Sequence, residues 1–243
     1  MKNLIIVLLG IVFLISCNQV KSTNQNKVEK KIKKVVQKIP LLKTDTTFTF
    51  EENEAEKIPN GWSQYFTGKG DSTNWKIKDD KGNKVLAQLS SDNPNYHFNV
   101  IVYNGFTAKN VELKVKLKGV AGRKDQGGGF VWRFIDKDNY YVVRANPLED
   151  NVVLYKVVNG DRSDLPVLGK GRTYGVDVKH LGNDWNTLKL KVDNDMFIVY
   201  LNGEELFKVK DETFTNAGKI GLWTKADAVS YFDNLKVKPV IGK

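Results

Sequence analysis

The chain has 243 residues, 41% of them hydrophobic, which suits one β-sandwich or two small domains with a core that needs no covalent staples. A single cysteine excludes any disulfide within the chain. The formal net charge is +10, but residues 1–47 hold nine lysines and two acids (+7), which leaves 29 basic and 26 acidic residues (+3) for 48–243. Charge carried mainly on a tail argues against nucleic acid as a partner.

Lys2 precedes an apolar run over residues 4–15, twelve residues long. A membrane-spanning helix needs about 20, so the run is a signal-peptide core. It ends in Leu14-Ile15-Ser16-Cys17. These four residues resemble the lipobox of bacterial lipoproteins. The resemblance implies cleavage after residue 16 and a lipid on Cys17; an ordinary signal peptide is the competing reading. Either way the mature protein is exported. With the lipid it is anchored to a membrane of the cell envelope, on the periplasmic or cell-surface side. Residues 17–46 then form a tether. Within it Val28, Ile32, Val35, Val36 and Ile39 share one helical face among Lys30, Lys31, Lys33, Lys34 and Lys38. Two readings stand: a short basic amphipathic helix over 27–39, drawn to anionic headgroups, or a solvated tether, since so short a helix is marginal in water.

From Phe48 onward the period is two and no window of helical length has a helical period. The clearest strand is 111–118, with Val111, Leu113, Val115 and Leu117 alternating against charges. Residues 188–192 repeat the pattern. Further β-rich runs cover 84–89, 98–103, 130–135, 140–145, 152–158, 196–201, 206–209, 219–223 and 229–237. Asn159-Gly160 signals a type I′ hairpin, and Asn202-Gly203, Asp193-Asn194 and Lys137-Asp138 mark further turns. The pattern predicts one all-β domain over 47–239, a sandwich or jelly roll of two antiparallel sheets.

Turn lengths set faces. A two-residue turn at Lys137-Asp138 puts Phe130, Trp132, Phe134, Tyr141, Val143 and Ala145 on a core face. Arg133, Tyr140, Arg144 and Asn146 fall on the opposite face. A four-residue connection over 147–150 adds Asn151, Val153 and Tyr155, and the 219–225 strand adds Trp223 and Lys225. Arginine, asparagine and aromatic rings on one exposed sheet suit a sugar, whose hydroxyls take hydrogen bonds and whose apolar faces take rings. The competing reading is a structural network with arginine stems covering aromatics. A register error would move the whole set.

Three stretches carry a resemblance: residues 57–77 (KIPNGWSQYFTGKGDSTNWKI), 127–160 (GGGFVWRFIDKDNYYVVRANPLEDNVVLYKVVNG) and 218–237 (GKIGLWTKADAVSYFDNLKV). The chain resembles the concanavalin A-like, laminin G-like jelly rolls of bacteria. Among these it is similar to the 3-keto-disaccharide hydrolase domain family and, more loosely, to family 16 glycoside hydrolases. The resemblance implies a jelly roll that binds carbohydrate, or an enzyme acting on glycosides or 3-keto-glycosides. A structural or protein-binding envelope domain is the third reading. The E-x-D-x-E motif of family 16 is absent, and Glu51, Glu52, Glu54 and Glu56 read as a solvated loop. His97 and His180 receive no role. Related jelly rolls often hold a structural calcium at a final-strand aspartate. That implies Asp233, with Glu51 or Glu52, as possible calcium ligands; a hydrogen-bonded aspartate at a bulge is the alternative.

Overall fold

The computed structural model describes residues 45–240, and among these there are strands and no helix. The expected signal peptide, the expected lipidation site at Cys17 and the expected helix over 27–39 lie outside the described residues. Sheet A runs β14 (Glu204–Lys210), β13 (Met196–Leu201), β12 (Asn186–Asp193), β6 (Val111–Ala121), β16 (Val229–Pro239), β4 (Asn83–Gln88) and β3 (Trp75–Asp80), with β1 (Thr46–Phe48) paired to β16. Sheet B runs β10 (Asp161–Asp164), β9 (Asn151–Val158), β8 (Asn139–Asn146), β7 (Gly128–Asp136), β15 (Gly218–Lys225), β5 (His97–Ala108) and β2 (Trp62–Gly68), with β11 (Val176–Asp177) paired to β9. This is the two-sheet antiparallel jelly-roll sandwich that the alternation predicts.

The turn chemistry mostly holds. Val158 faces Asp161 across Asn159-Gly160, whose φ values of 52° and 86° are those of a type I′ turn. Leu201 faces Glu204 across Asn202-Gly203 in the same way. The β12–β13 turn falls one residue later than the sequence reading, at Asn194-Asp195, because Asp193 pairs with Met196.

The core lies between the sheets. Sheet A contributes Leu113, Val115, Leu117, Leu188, Leu190, Val192, Phe197 and Val199, and sheet B contributes Phe130, Trp132, Tyr141 and Val143, all buried. Trp132 meets Phe197 across the sandwich, ring centroids 5.2 Å apart. Full burial of each large apolar side chain contributes about 1.5–3 kcal/mol.

Sheet B also buries its other face. Phe98, Val100, Val102, Val131, Phe134, Tyr140, Val142, Val153, Tyr155, Val157 and Trp223 form a second apolar cluster there. The sheet closes over this cluster by curling until strands that are not neighbours touch. Thr67 of β2 bonds the Tyr140 hydroxyl of β8 at 2.8 Å and donates to the Lys137 carbonyl in the β7–β8 turn. The Tyr96 hydroxyl donates to Gly160 O (2.9 Å) and accepts from Arg162 N (3.0 Å) in the β9–β10 hairpin. A sheet apolar on both faces reads as near-continuous hydrophobic runs, as residues 140–145 and 152–155 do.

Candidate functional site

The site is built on the outer face of sheet B, near one end of its apolar cluster. Arg144 of β8 pairs with Val153 and Gly129, Gly129 pairs with Trp223, and Asn146 pairs with Asn151. Arg144, Asn146, Asn151, Tyr155, Trp223 and Lys225 therefore share the face that the sequence assigned to them, as does Tyr140 farther along.

Arg133 does not join them. Above the Asp136–Asn139 turn the register shifts, so that Trp132 pairs with Tyr141. Two extra residues of β7 bulge out, and Arg133 takes a φ of 47°, a left-handed conformation that is costly for a residue with a Cβ. The bulge exchanges two side chains. Phe134, expected in the inter-sheet core, joins the outer cluster. Arg133 turns to the other side, 5.6 Å from the Phe197 ring, and donates to the carbonyls of Lys109, Phe214 and Asn194. Gly218 of β15 permits this, because a Cβ there would come within 2.5 Å of the Arg133 backbone. A second correction concerns exposure. Trp223, Tyr140 and Tyr155 are at most 2% exposed, so they are the floor of a second core and not an open aromatic platform.

What reaches solvent is a rim of Glu149, Arg162, Tyr174 and Lys225, with Arg144 and Asp125 buried beneath it. Arg144, 1% exposed, donates to Asn151 Oδ1, to Glu149 Oε2 (2.7 Å) and to the hydroxyls of Tyr155 and Tyr174 (3.2 Å each). Gly127 makes room for it: a Cβ there would lie 3.1 Å from Arg144 Cδ and 2.8 Å from an Asp125 oxygen. Burial alone would raise the Glu149 carboxyl, but the Arg144 guanidinium and the Asn151 amide outweigh it and hold the acid below its ordinary range. Lys225 pairs with Asp125 at 3.1 Å, and Asp125 also accepts from Gly127 N at 2.6 Å. The loop that carries Asp125 is fixed by Asp227, whose carboxylate accepts from the backbone N–H groups of Arg123 (2.8 Å), Lys124 (3.0 Å) and Asp125 (3.1 Å).

The sequence reading missed Arg162, Glu149, Asp125 and Tyr174. Arg162 was findable: the Asn159-Gly160 turn places it opposite Val157, on the face of Tyr155. Its guanidinium lies 4.3 Å from the Tyr155 ring, 4.9 Å from Phe98 and 5.9 Å from Trp223, a cation–π arrangement. Among the described residues none accepts a hydrogen bond from its side chain. The buried Asn146 Nδ2 also lacks a partner there. Asp125 and Tyr174 sit in connections that carry no periodicity.

The sequence matches one domain family, described as 3-keto-alpha-glucoside-1,2-lyase-like, over residues 57–238. The chain belongs to that family. The match takes in both sheets and every residue of the rim. No curated protein is similar enough in sequence to count as a match. Among solved structures, this lyase-like domain is similar to the carbohydrate-binding module CBM66 from Bacillus subtilis (21% identity, 73% of this chain and 95% of that one, TM-score 0.54). It is also similar to a Bacteroides ovatus mixed-linkage-glucan GH16 in complex with its G4G4G3G product (9% identity, 79% and 99%, TM-score 0.54). At these identities the likeness is one of fold.

The remaining sequence candidates lie elsewhere. The bulge expected at Asp233 is present: the β16 register shifts after it, and Asn234 takes a φ of 51°. Asp233 accepts from Asn234 N (2.6 Å), Asn234 Nδ2 (2.7 Å) and Asn83 Nδ2 (3.4 Å). Burial pushes its carboxyl up, and nearby Glu51 adds to the rise. Glu52 is exposed in the same β1–β2 connection. Among the described residues no three acidic, histidine or cysteine side chains cluster as a metal site would. Calcium at Asp233 and Glu51 therefore stays a proposal, needing carbonyls and Asn83 to complete its 6–8 oxygens. His97 is buried, stacked on Phe66 at 4.9 Å and bonded to Lys69 O at 2.6 Å, whereas exposed His180 pairs with Asp150.

Proposed function

We propose that the rim of sheet B around Arg162 and Arg144 binds a carbohydrate, and that the chain does so in the cell envelope, held by a lipid on Cys17. The observation that carries the reading is Arg162: a guanidinium laid over three aromatic rings whose N–H groups have no protein acceptor among the described residues. A sugar hydroxyl or carboxylate supplies such acceptors. Glu149 accepts hydroxyl donors, and Tyr174, half-exposed, offers a ring to a pyranose face. Membership of the 3-keto-alpha-glucoside-1,2-lyase-like family supports a sugar as the ligand. A glycan-array screen of the chain tests this. Any glycan retained by the native protein should bind the Arg162→Met variant at least about tenfold more weakly, a loss of about 1.4 kcal/mol. Undiminished binding by that variant would overturn the assignment.

One observation favours a second reading, cleavage of a 3-keto-glycoside. Glu149 is held ionised beside two cations, Arg144 and Lys225. A 1,2-elimination needs a base for the C2 proton, which the neighbouring C3 ketone acidifies. As the C2–H pair forms the C1=C2 bond, the aglycone leaves C1 with its bonding electrons and is protonated. A cation near the ketone oxygen stabilises the enolate that develops. Glu149 would be the base and Arg144 or Lys225 the cation. Because Arg144 and Asn151 outweigh burial and hold the Glu149 carboxyl below the ordinary carboxylate range, turnover of a 3-keto-α-glucoside should fall on the acid side only below that range. Glu149→Gln should abolish turnover while binding persists; equal turnover by that variant removes Glu149 from the chemistry.

A further inference from the structure

Sheet A turns a different surface outward. Its inner residues alternate with Lys114, Lys116 and Lys118 on β6, Lys189 and Lys191 on β12, Lys208 and Lys210 on β14, Lys236 and Lys238 on β16, and Lys76 and Lys78 on β3. The domain's modest overall charge therefore conceals a strongly basic face. Several of these lysines have carboxylate partners: Lys189 with Glu112, Lys118 with Asp80, Lys208 with Glu205, Lys210 with Asp195, and Lys76 and Lys78 with Glu56. Lys114, Lys191, Lys236 and Lys238, on three adjacent strands, have no ion pair among the described residues.

The register makes this arrangement costly. Lys114 lies directly opposite Lys189 on one side and Lys236 on the other. Like charges facing each other across strands destabilise a sheet. Glu112 neutralises Lys189, but Lys114 and Lys236 face each other with no ion pair among the described residues, an arrangement unfavourable for the fold alone that favours an anionic partner. Beside the row runs an open groove of about 510 Å³ lined by Lys114, Thr187, Lys189, Tyr200, Asn202 and Gly203.

We infer that the lysine face of sheet A rests on an anionic lipid surface. Three observations select a membrane over a soluble anion. The face is built from lysines, compact point charges suited to a diffuse field of headgroups, and contains none of the arginines that grip a single anion by two bonds. Its groove holds no buried, unpartnered polar group that would mark a built pocket. The described chain also begins at this sheet: Thr46 of β1 pairs with Val237, between Lys236 and Lys238. The preceding segment carries Lys21, Lys27, Lys30, Lys31, Lys33, Lys34, Lys38 and Lys43. Sheet B and its rim lie on the opposite side of the sandwich. The inference stands apart from the carbohydrate reading and requires no lipid on Cys17.

Lysine-specific acylation of the full chain, read peptide by peptide by mass spectrometry, tests it. The probes are vesicles of phosphatidylcholine alone and vesicles containing phosphatidylglycerol. On the anionic vesicles Lys114, Lys191, Lys236 and Lys238 should react at least about threefold more slowly, while Lys137 and Lys170 on the connections of sheet B keep their rates. The protection should vanish at high salt. It should survive replacement of the tail's Lys30, Lys31, Lys33 and Lys34 by glutamine. Each face lysine changed to glutamine should weaken partition onto anionic vesicles about fivefold. Equal rates on both vesicles, or loss of protection with the tail lysines, would overturn the inference. Protection by heparin or duplex DNA with none by vesicles would assign the face to a soluble polyanion instead.

Discussion

The two sheets bury the same kind of inner face and differ in what they turn outward. Sheet A alternates cleanly along β6 and β12 and presents lysines. Sheet B curls and buries a second apolar cluster, with charged groups at its rim. The difference follows from composition. Alternate charged residues along β6 and β12 keep one face solvated, whereas the β7, β8 and β9 sequences are apolar at nearly every position and must bury both faces. Curling satisfies that demand without a covering helix. It also leaves the edge of the closed face, where Arg144, Arg162, Glu149 and Tyr174 meet, as the surface proposed for recognition.

The largest expected effect tests whether sheet B has two cores. Trp132→Ala should cost about 3–5 kcal/mol as a core truncation, and Trp223→Ala should cost about as much, because both side chains are fully buried. Urea titrations of the two variants make the comparison. A near-neutral Trp223→Ala would mean that the outer face is open and the curl is wrong.

Next comes the loop that carries Asp125. Burial opposes ionisation of Asp227, but three backbone N–H donors outweigh it and depress its carboxyl. A depressed folded-state value contributes stability that is present above 3.8 and lost as the pH falls through the lower, folded value. Asp227→Asn should therefore cost about 1.5–3 kcal/mol at neutral pH, and the gap to the native protein should narrow in acid below that value. A pH-independent gap would assign the loss to something other than the charge.

The two arginines separate structure from recognition. Arg133→Met removes the donor from three part-buried backbone carbonyls and should cost about 1–3 kcal/mol, with glycan binding unchanged in the variant that remains folded. Altered binding in that variant would link the two ends of the sheet.

The smallest effect is at Asp233. Burial raises its carboxyl, so its contribution is favourable below 3.8 and is lost as the pH rises through the raised value. Asp233→Asn should raise the melting temperature slightly at neutral pH and not in acid. Added calcium should reverse the order, stabilising the native protein and not the variant, since a ligand bound only by the folded state raises its stability. Identical melting with calcium and with chelator would end the calcium proposal.

Sheet A was legible in the sequence because half-solvated strands announce their faces. Residues 111–118 and 188–192 alternate without a break. Sheet B was legible in its strands and hairpins, but less so in its faces. The Lys137-Asp138 turn and the upstream pairing parity are both as read, yet a two-residue bulge between them exchanges Arg133 and Phe134. No glycine marks that bulge: Arg133 itself adopts the positive φ, and the permissive glycine, Gly218, is 85 residues away in the sequence. The exposure of Trp223 was equally unreadable, since curling is a property of the whole sheet. Arg162 lay one register step beyond a turn already identified, whereas Asp125 and Tyr174 depend on irregular loops.

Backbone hydrogen exchange with and without a methyl 3-keto-α-glucoside, read at peptide resolution, tests most directly whether recognition belongs to the rim of sheet B. The account predicts that the sugar slows exchange in residues 144–151, 161–165 and 172–176, which surround Arg144, Arg162, Glu149 and Tyr174. Protection confined to β6, β12 and β13 on the lysine face, or none at either face, would contradict it.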